Sequence, residues 1–514
     1  MSFKDNFPNA TKKELHALEA AKTSIQNALK VSQQNLEFDA LKLNSSGRHK
    51  LAEAITEFVY DLQNGIGIWQ TFELLNREFF GTPLPFVLAK NQKLKAPLIN
   101  QYRLHYFLWY KYEFLKSDLL ISPEHADLEI LAKELMLFIN QHVRLRMKNS
   151  SIKAFLSTPN EWGWDVKRKL VWLGTQSFLF RDDYLKFIGD EKAPGIEKTD
   201  NFICEATTRW SGLGAVDILV NVLDITPSQR NELWNWYEKH AAIYKILNVT
   251  DEFHYAENII SRENYVIRTN EIIYNMPAGT FVYGGLVPWN DEWYWSGAQI
   301  NLGRSLDQEH LQKMKLELQR KSTVTYRYLK NLLQEAIEHT ENYYNAFVDY
   351  FGDDLVVFPD GQTMQSALQD FSVKRFENIS REERAEMQKK YGAQNPWGGF
   401  NLSQNLLKRQ DGIAVYFERS EGIQMMTFFN DIQSGLEKKG EFLDADELAA
   451  IRGFITSINT SPDFVKKVIK GQAIRSVRQA FLIQHGSDDL LMSFLFRCYK
   501  GHYFRNYYPG MSII

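Results

Sequence analysis

A predominantly helical α+β protein is the fold class this sequence predicts, multi-domain and with a small antiparallel, aromatic-rich β-meander inserted among helices. Three observations carry that prediction. Apolar residues recur at helical spacing along most of the 514 residues. The stretch from Asn264 to Gly303 alone switches to alternation broken by turn residues. The short β runs do not alternate with helices, which argues against a parallel α/β enzyme fold. A chain of this length exceeds what one hydrophobic core supports, so about two to four domains are expected.

Residues 11 to about 80 read as helices. Lys12 to Asn35 is polar and amphipathic, and Lys50 to Phe80 carries Leu51, Ile55, Phe58, Val59 and Leu62 on one face until Gly65, Gly67 and Gly81-Thr-Pro-Leu-Pro85 interrupt it. Tyr102 to Leu120 is apolar enough for a buried central helix. Ser122-Pro123, Thr226-Pro227-Ser228-Gln229 and Ser461-Pro462-Asp463 each predict a helix start, since serine or threonine caps free N–H groups and proline at the first position sacrifices no hydrogen bond. The second of these opens a helix through Trp234, Trp236 and His240.

The β reading begins at Tyr265 to Ile267. It continues through Glu271 to Tyr274, a turn at Pro277-Ala278-Gly279, a strand from Phe281 to Val287, and a turn at Asn290-Asp291 into Trp293 to Ser296. From Asp307 to about Tyr350 helical periodicity returns, with Ser322-Thr-Val-Thr325 the expected break. Leu355 to Phe358 and Ile413 to Phe417 are strands, residues 377–411 form a polar boundary or mobile segment, and the remainder to Cys498 is helical. This yields an N-terminal helical region over 1–155, a central region over 156–350 containing the meander at 264–303, and a C-terminal α+β region over 351–514.

Bulk chemistry excludes several classes. Hydrophobic residues at 44% and charged residues at 24% suit a globular chain. A net charge of −3 exerts no general pull on nucleic acid or anionic membrane. Cys204 and Cys498 alone cannot build a disulfide framework or a multi-cysteine zinc site. The N-terminus has no secretory pattern and no apolar run approaches the roughly 18 residues of a bilayer span, so a cytoplasmic location is expected.

No spacing-encoded catalytic motif is present. Gly284-Gly285 lacks the context of a phosphate loop, and Trp210-Ser-Gly-Leu-Gly214 before Ala215 to Leu223 reads as a tight helix entry packed by Trp210 instead of a dinucleotide turn. Asp353, Asp354 and Asp360, and Asp291-Glu292 at the hairpin tip, could attract a cation but read first as solvated turn residues. His240, near Trp236 and Tyr244, reads as a core or interfacial histidine. No metal site and no cofactor are expected.

Two segments combine the residue types of a binding surface. In the meander Trp293 and Trp295 point to one face and Tyr294 to the other, so these rings and Trp289 form either core or a stacking platform. Near the C-terminus Arg497, Lys500 and Arg505 alternate with aromatics, a composition that suits nucleic acid or a docked tail helix.

Ser177-Phe-Leu-Phe-Arg181, Trp210-Ser-Gly-Leu-Gly214 leading into Asp217-Ile-Leu219, Glu292-Trp-Tyr-Trp-Ser-Gly297, and the ending Tyr499-Lys-Gly501 with Phe504-Arg505 together resemble an uncharacterised family of bacterial multi-domain proteins known only as a domain of unknown function. The resemblance runs from about residue 160 onward. It implies a bacterial cytoplasmic protein and no particular activity, cofactor or catalytic residue. The functional expectation is therefore a non-catalytic binding protein engaging a macromolecular partner, protein or nucleic acid. The alternative is a hydrolase or nuclease whose site assembles from distant residues such as Asp353, Asp354, Asp360 or His240.

Overall fold

The structure, a computed structural model, describes residues 3–89, 94, 98–191, 193–269, 276–305, 307, 309, 330–378, 380–382, 385 and 402–505. They fall into two compact units, one joining Met1–Leu306 with Phe481–His502 and the other joining Asp307–Ala480 with Tyr503–Ile514. The chain is a predominantly helical α+β protein, as its periodicities predict. The boundary expected near 155 falls inside the first unit.

In the first unit eleven α-helices among the described residues precede the strands: α1 Lys12–Ser32, α2 Ser45–Asn64, α3 Ile68–Phe80, α4 Gln101–Leu115, α5 Ala126–His142, α6 Ser151–Leu156, α7 Gly163–Gln176, α8 Arg181–Ile188, α9 Ile196–Glu205, α10 Ala215–Val222 and α11 Pro227–Trp234. Their core is aromatic. Phe58, Trp69, Phe72, Phe107 and Trp210 are fully buried, and Tyr110 stacks on Trp210 with ring centroids 3.5 Å apart. Each such contact adds about 0.5–1.5 kcal/mol beyond area burial.

Local chemistry places the helix starts. Thr226 and Gln229 form a capping box with Pro227 at the first turn of α11, as the sequence predicts. Ser122-Pro123 does not open a helix: Ser122 accepts from the Glu124 N–H in a preceding turn, and α5 starts at Ala126 behind His125, whose ring accepts from the Asp127 N–H. Trp210-Ser-Gly-Leu-Gly214 is the helix entry expected of it, with Asp217 accepting from the Gly214 N–H at 2.7 Å. Gly212 at φ +72 is required there, since a Cβ would lie 2.6 Å from the Arg497 carbonyl.

The strands differ most from expectation. Instead of a three-stranded meander from Asn264, five strands close a barrel: β1 Ala242–Val249, β2 Phe253–Asn258, β3 Asn264–Arg268, β4 Phe281–Trp289 and β5 Glu292–Gly303, in the order β1-β2-β3-β5-β4 with β4 returning to β1. All pairs are antiparallel except β3 with β5. β1 pairs along one edge with β4 through Ala242 to Lys245 and along the other with β2 through Tyr244 to Val249, with a bulge between Ile246 and Asn248. Alternation alone misses these two strands: β1 begins with three consecutive buried residues, and β2 buries His254 and Asn258. The helix expected through His240 ends at Trp234, followed by a 3₁₀ turn at Asn235–Glu238. The strand expected at 271–274 lies outside the described residues.

The second unit holds the sheet β6 Leu355–Phe358, β7 Ile413–Glu418 and β8 Gly422–Met426, antiparallel throughout, where β8 falls in a stretch expected to be helical. Around it lie α12 Lys330–Phe351, α13 Gly361–Asn378, α14 Gln404–Leu407, α15 Phe429–Glu437, α16 Ala445–Thr456 and α17 Pro462–Val468. Every residue of β7 is buried, with Phe347 and Phe371 among the packed rings and Tyr416 stacked on Phe464. Ser461 caps α17 as predicted. α18 Ile474–Phe481 and α19 Asp488–Tyr499 follow, α19 returning to the first unit. The expected helix break at 322–325 and most of 377–411 lie outside the described residues.

Candidate functional site

The barrel is the candidate site, and its interior holds the rings of Tyr244, Tyr265, Trp293 and Trp295. Tyr244, Ile246, Tyr265, Ile267, Val282 and Leu286 fill it, with Trp293 and Trp295 packed against them. The alternation in β5 therefore points both tryptophans inward, while Tyr294 turns to the helices and lies over Gly163, where a Cβ would come within 2.6 Å of its ring. Trp289 is fully buried and donates its indole N–H to the Asn160 carbonyl at 2.9 Å. Trp289 is thus no accessible platform, and Trp293 is engaged by His240, 4.7 Å away between centroids, and by Tyr265.

A buried polar clasp holds the barrel to the helices. Asp200 on α9 receives Lys167 of α7 and the Ser296 hydroxyl of β5 on one carboxylate oxygen, and Lys239 at 3.2 Å on the other. Lys239 also reaches Asn201, and Glu205 at 3.4 Å. Burial would raise the Asp200 carboxyl, but the two lysines outweigh it and hold the group below its ordinary range. This clasp supplies the backbone reason for Gly285: a Cβ there would sit 2.6 Å from Cγ of Lys239. At Gly284 the neighbour is the Trp295 ring, which a Cβ would approach to 2.9 Å.

The hairpin tip is held as well. Asn290 and Asp291 both take positive φ, at 51° and 62°, the geometry of a tight hairpin turn, and their N–H groups donate to Glu232 of α11 at 2.9 Å each. Arg268 grips both oxygens of Glu292 and lies 4.7 Å from the Trp162 ring and 4.4 Å from the Phe253 ring. Hydrogen bonding from that guanidinium lowers the Glu292 carboxyl.

Among the described residues, the outer face of β1–β3 carries exposed apolar side chains. Tyr255 and Val266 are direct cross-strand partners, and with Leu247 in the adjacent bulge they leave 37%, 42% and 46% of their surfaces exposed. Phe253 and Arg268 form the next row, Glu257 and Asn264 the row on the other side. Between Ala242 and Arg268 the cations are Lys245, Arg262 and Arg268, and the acids are Asp251, Glu252, Glu257 and Glu263. Arg262 is paired with Glu257 at 2.9 Å.

The C-terminal cations differ in burial. Lys500 is fully buried, Arg497 is half-buried with its guanidinium 3.3 Å from the Phe79 ring, and Arg505 is partly exposed in the second unit. Burial pushes Arg497 below its ordinary value. The acidic cluster is engaged too: Lys467 meets Asp353 at 2.9 Å and Asp354 at 2.7 Å, and Asp360 accepts from the Thr363 N–H at the start of α13. His240 is buried against the barrel core. Among the described residues no three His, Cys, Asp or Glu side chains are grouped to hold a metal ion, and no helix is long and apolar enough to cross a membrane. Burial pushes the thiols of Cys204 and Cys498 up to about 11 and about 12, which leaves them poor nucleophiles near neutrality.

Residues 16–198 match the model of a family described as a protein of unknown function, DUF3843. An uncharacterised family is what the resemblance implied, but the match lies toward the N-terminus and shares only residues 160–198 with the stretch that carries the resemblance. No curated protein and no solved structure matches the chain. Sequence reasoning misses the β1–β3 face because β1 and β2 do not show the expected alternation. Tyr255, between His254 and Ala256, and Val266, inside the apolar run Tyr265 to Ile267, carry no sequence pattern that marks the face.

Proposed function

We propose that this chain is a non-catalytic binding protein whose barrel engages a protein partner through the outer face of β1–β3. The observation that carries the reading is the exposed row Leu247, Tyr255 and Val266 across three adjacent strands of a five-stranded Greek-key barrel. That strand order, with the lone parallel pair between β3 and β5, has the connectivity of an OB-type barrel, a scaffold whose β2–β3 face commonly serves recognition. Fold alone does not assign function, so the weight rests on the exposed residues.

Protein is favoured over nucleic acid by charge. Phosphate binding needs unpaired cations, whereas the segment from Ala242 to Arg268 carries four acids against three bases and two of those three cations are held by carboxylates. The enzyme reading has less support, because Asp353, Asp354 and Asp360 are already committed to Lys467 and to a helix start.

The test is a photo-crosslinking amino acid at Tyr255, with Lys133 on the exposed side of α5 as control position. A single protein captured from Tyr255, absent from Lys133, and lost when Leu247→Asp and Val266→Asp are added is the expected result. Equal capture from both positions, or salt-sensitive retention of oligonucleotides on the same face, would overturn the proposal.

A further inference from the structure

Two amide side chains hold the chain extended between α5 and α6. At the end of α2, Gln63 donates to the Val143 carbonyl at 3.2 Å and accepts from the Leu145 N–H at 2.6 Å. Its neighbour Asn64 donates to the Leu145 carbonyl at 2.9 Å and accepts from the Met147 N–H at 2.8 Å. The two side chains thus do for residues 143–147 what an adjacent strand would do, drawing the backbone of every second residue toward α2. Alternation then decides the faces. Val143 and Leu145 are buried and Met147 half-buried, while Arg144, Arg146 and Lys148 are exposed on the opposite face.

These three cations form a ridge at intervals of about 6.6 Å, twice the rise of an extended chain. Little in the sequence neutralises it: no Asp or Glu occurs from Leu135 to Asn160, and exposed Lys153 on α6 adds a fourth cation. Arg144 is braced by the Asn140 and Val143 carbonyls at 2.8 and 3.2 Å, and among the described residues no carboxylate pairs with any of the four. Glu14 of α1 and Asp61 of α2, carried by elements packed against this segment, are buried and already bonded. Glu14 accepts from the Ser151 N–H, and Asp61 from the N–H groups of Gly67, Ile68 and Trp69.

Unpaired cations set in a line suit a linear polyanion. Phosphates recur along a nucleic-acid strand at a comparable interval, so each cation can meet one, and a guanidinium offers a phosphate two parallel N–H donors. At the head of the ridge the last turn of α5 carries exposed His142 beside half-buried Phe138, with ring centroids 5.0 Å apart. Rings next to a cationic track serve an unpaired strand, whose bases are free to stack. A membrane surface would call for cations spread over a plane, and an acidic peptide has no use for the rings.

We propose that the chain binds single-stranded nucleic acid along Arg144, Arg146 and Lys148, the phosphates tracking the ridge and a base resting against His142 and Phe138. This surface is separate from the β1–β3 face, so the proposal stands or falls independently of the one above.

The test is fluorescence anisotropy of a labelled oligo-dT with the full chain over a salt series. Arg146→Ala with Lys148→Ala should weaken binding at least about tenfold, and the slope of log K against log salt should fall by about 0.7 for each cation removed. Lys30→Ala, an exposed cation elsewhere on the first unit, should leave both unchanged. Circular dichroism and Tm of the double variant, whose changes are confined to exposed side chains, should match wild type. A duplex of the same length should bind more weakly. No binding by wild type, equal affinity in the double variant, a duplex held as tightly as the single strand, poly-glutamate displacing the oligonucleotide at equal charge, or phosphatidylserine vesicles capturing the chain in place of the oligonucleotide would each overturn the proposal.

Discussion

At Asp200 two lysines and a serine converge on one buried carboxylate, and that convergence sets what a single substitution would do. Asp200→Asn leaves Lys167 without its carboxylate and Lys239 with Glu205 alone at 3.4 Å, a loss of roughly 3 kcal/mol, toward the lower end for a broken buried pair because Lys167 keeps some access to water. Because the folded carboxyl is held below its ordinary value of 3.8, its contribution is full above that pH and is lost as pH falls through the folded value. Urea titrations should therefore show the gap between wild type and Asp200→Asn wide at pH 7 and narrowing in acid. Asp183 runs the other way. Burial pushes it up to about 6 despite the Tyr110 hydroxyl at 2.8 Å, so the folded state keeps its proton longer and the stabilisation present below pH 3.8 is lost as pH rises through about 6. Asp183→Asn should gain in Tm relative to wild type between pH 4 and pH 7, and a constant difference would contradict this account.

Elements here are placed by close backbone approaches as much as by apolar stripes. β4 carries Gly285 because Lys239 crosses it on the way to Asp200, and the side chain is pinned at its far end, so it cannot swing aside to admit a methyl. Gly285→Ala should cost about 1–3 kcal/mol by overpacking, read as a lower midpoint in thermal unfolding. At α11 the capping box is local and less severe: Thr226→Ala should cost about 1 kcal/mol, and Thr226→Ser should recover most of it. Helix starts of this kind are readable because capping involves residues three positions apart. β1 and β2 are not, because β1 pairs with the distant β4 and the buried positions of β2 include His254 and Asn258.

Over the whole molecule the first unit is discontinuous, and α19 returns to it after the second unit has been traversed. Phe494 on α19 lies against Phe80, Phe86 and Trp109, with ring centroids 5.8, 5.1 and 5.9 Å away. A chain ended at residue 480 loses this cover and exposes those rings. Its first unit should unfold at lower temperature and be cleaved faster in limited proteolysis than in the full chain, and unchanged protection would show that α19 contributes little. Buried Lys500 lies at the end of α19, so within the first unit the run that alternates cations with aromatics is largely covered.

By itself the sequence determined the class: long amphipathic helices, capped starts at Thr226 and Ser461, the β character of 281–303, and the opposed directions of Tyr294 and its flanking tryptophans. These follow from periodicity and short-range hydrogen bonding, which act within a few residues. Only the tertiary structure decided that the strands close into a barrel, that Trp289 and Lys500 are buried, that Asp353 and Asp354 are claimed by Lys467, and that Leu247, Tyr255 and Val266 are exposed. Each of those outcomes depends on groups brought together from distant positions. A residue's own neighbours in the chain do not say what will cover it.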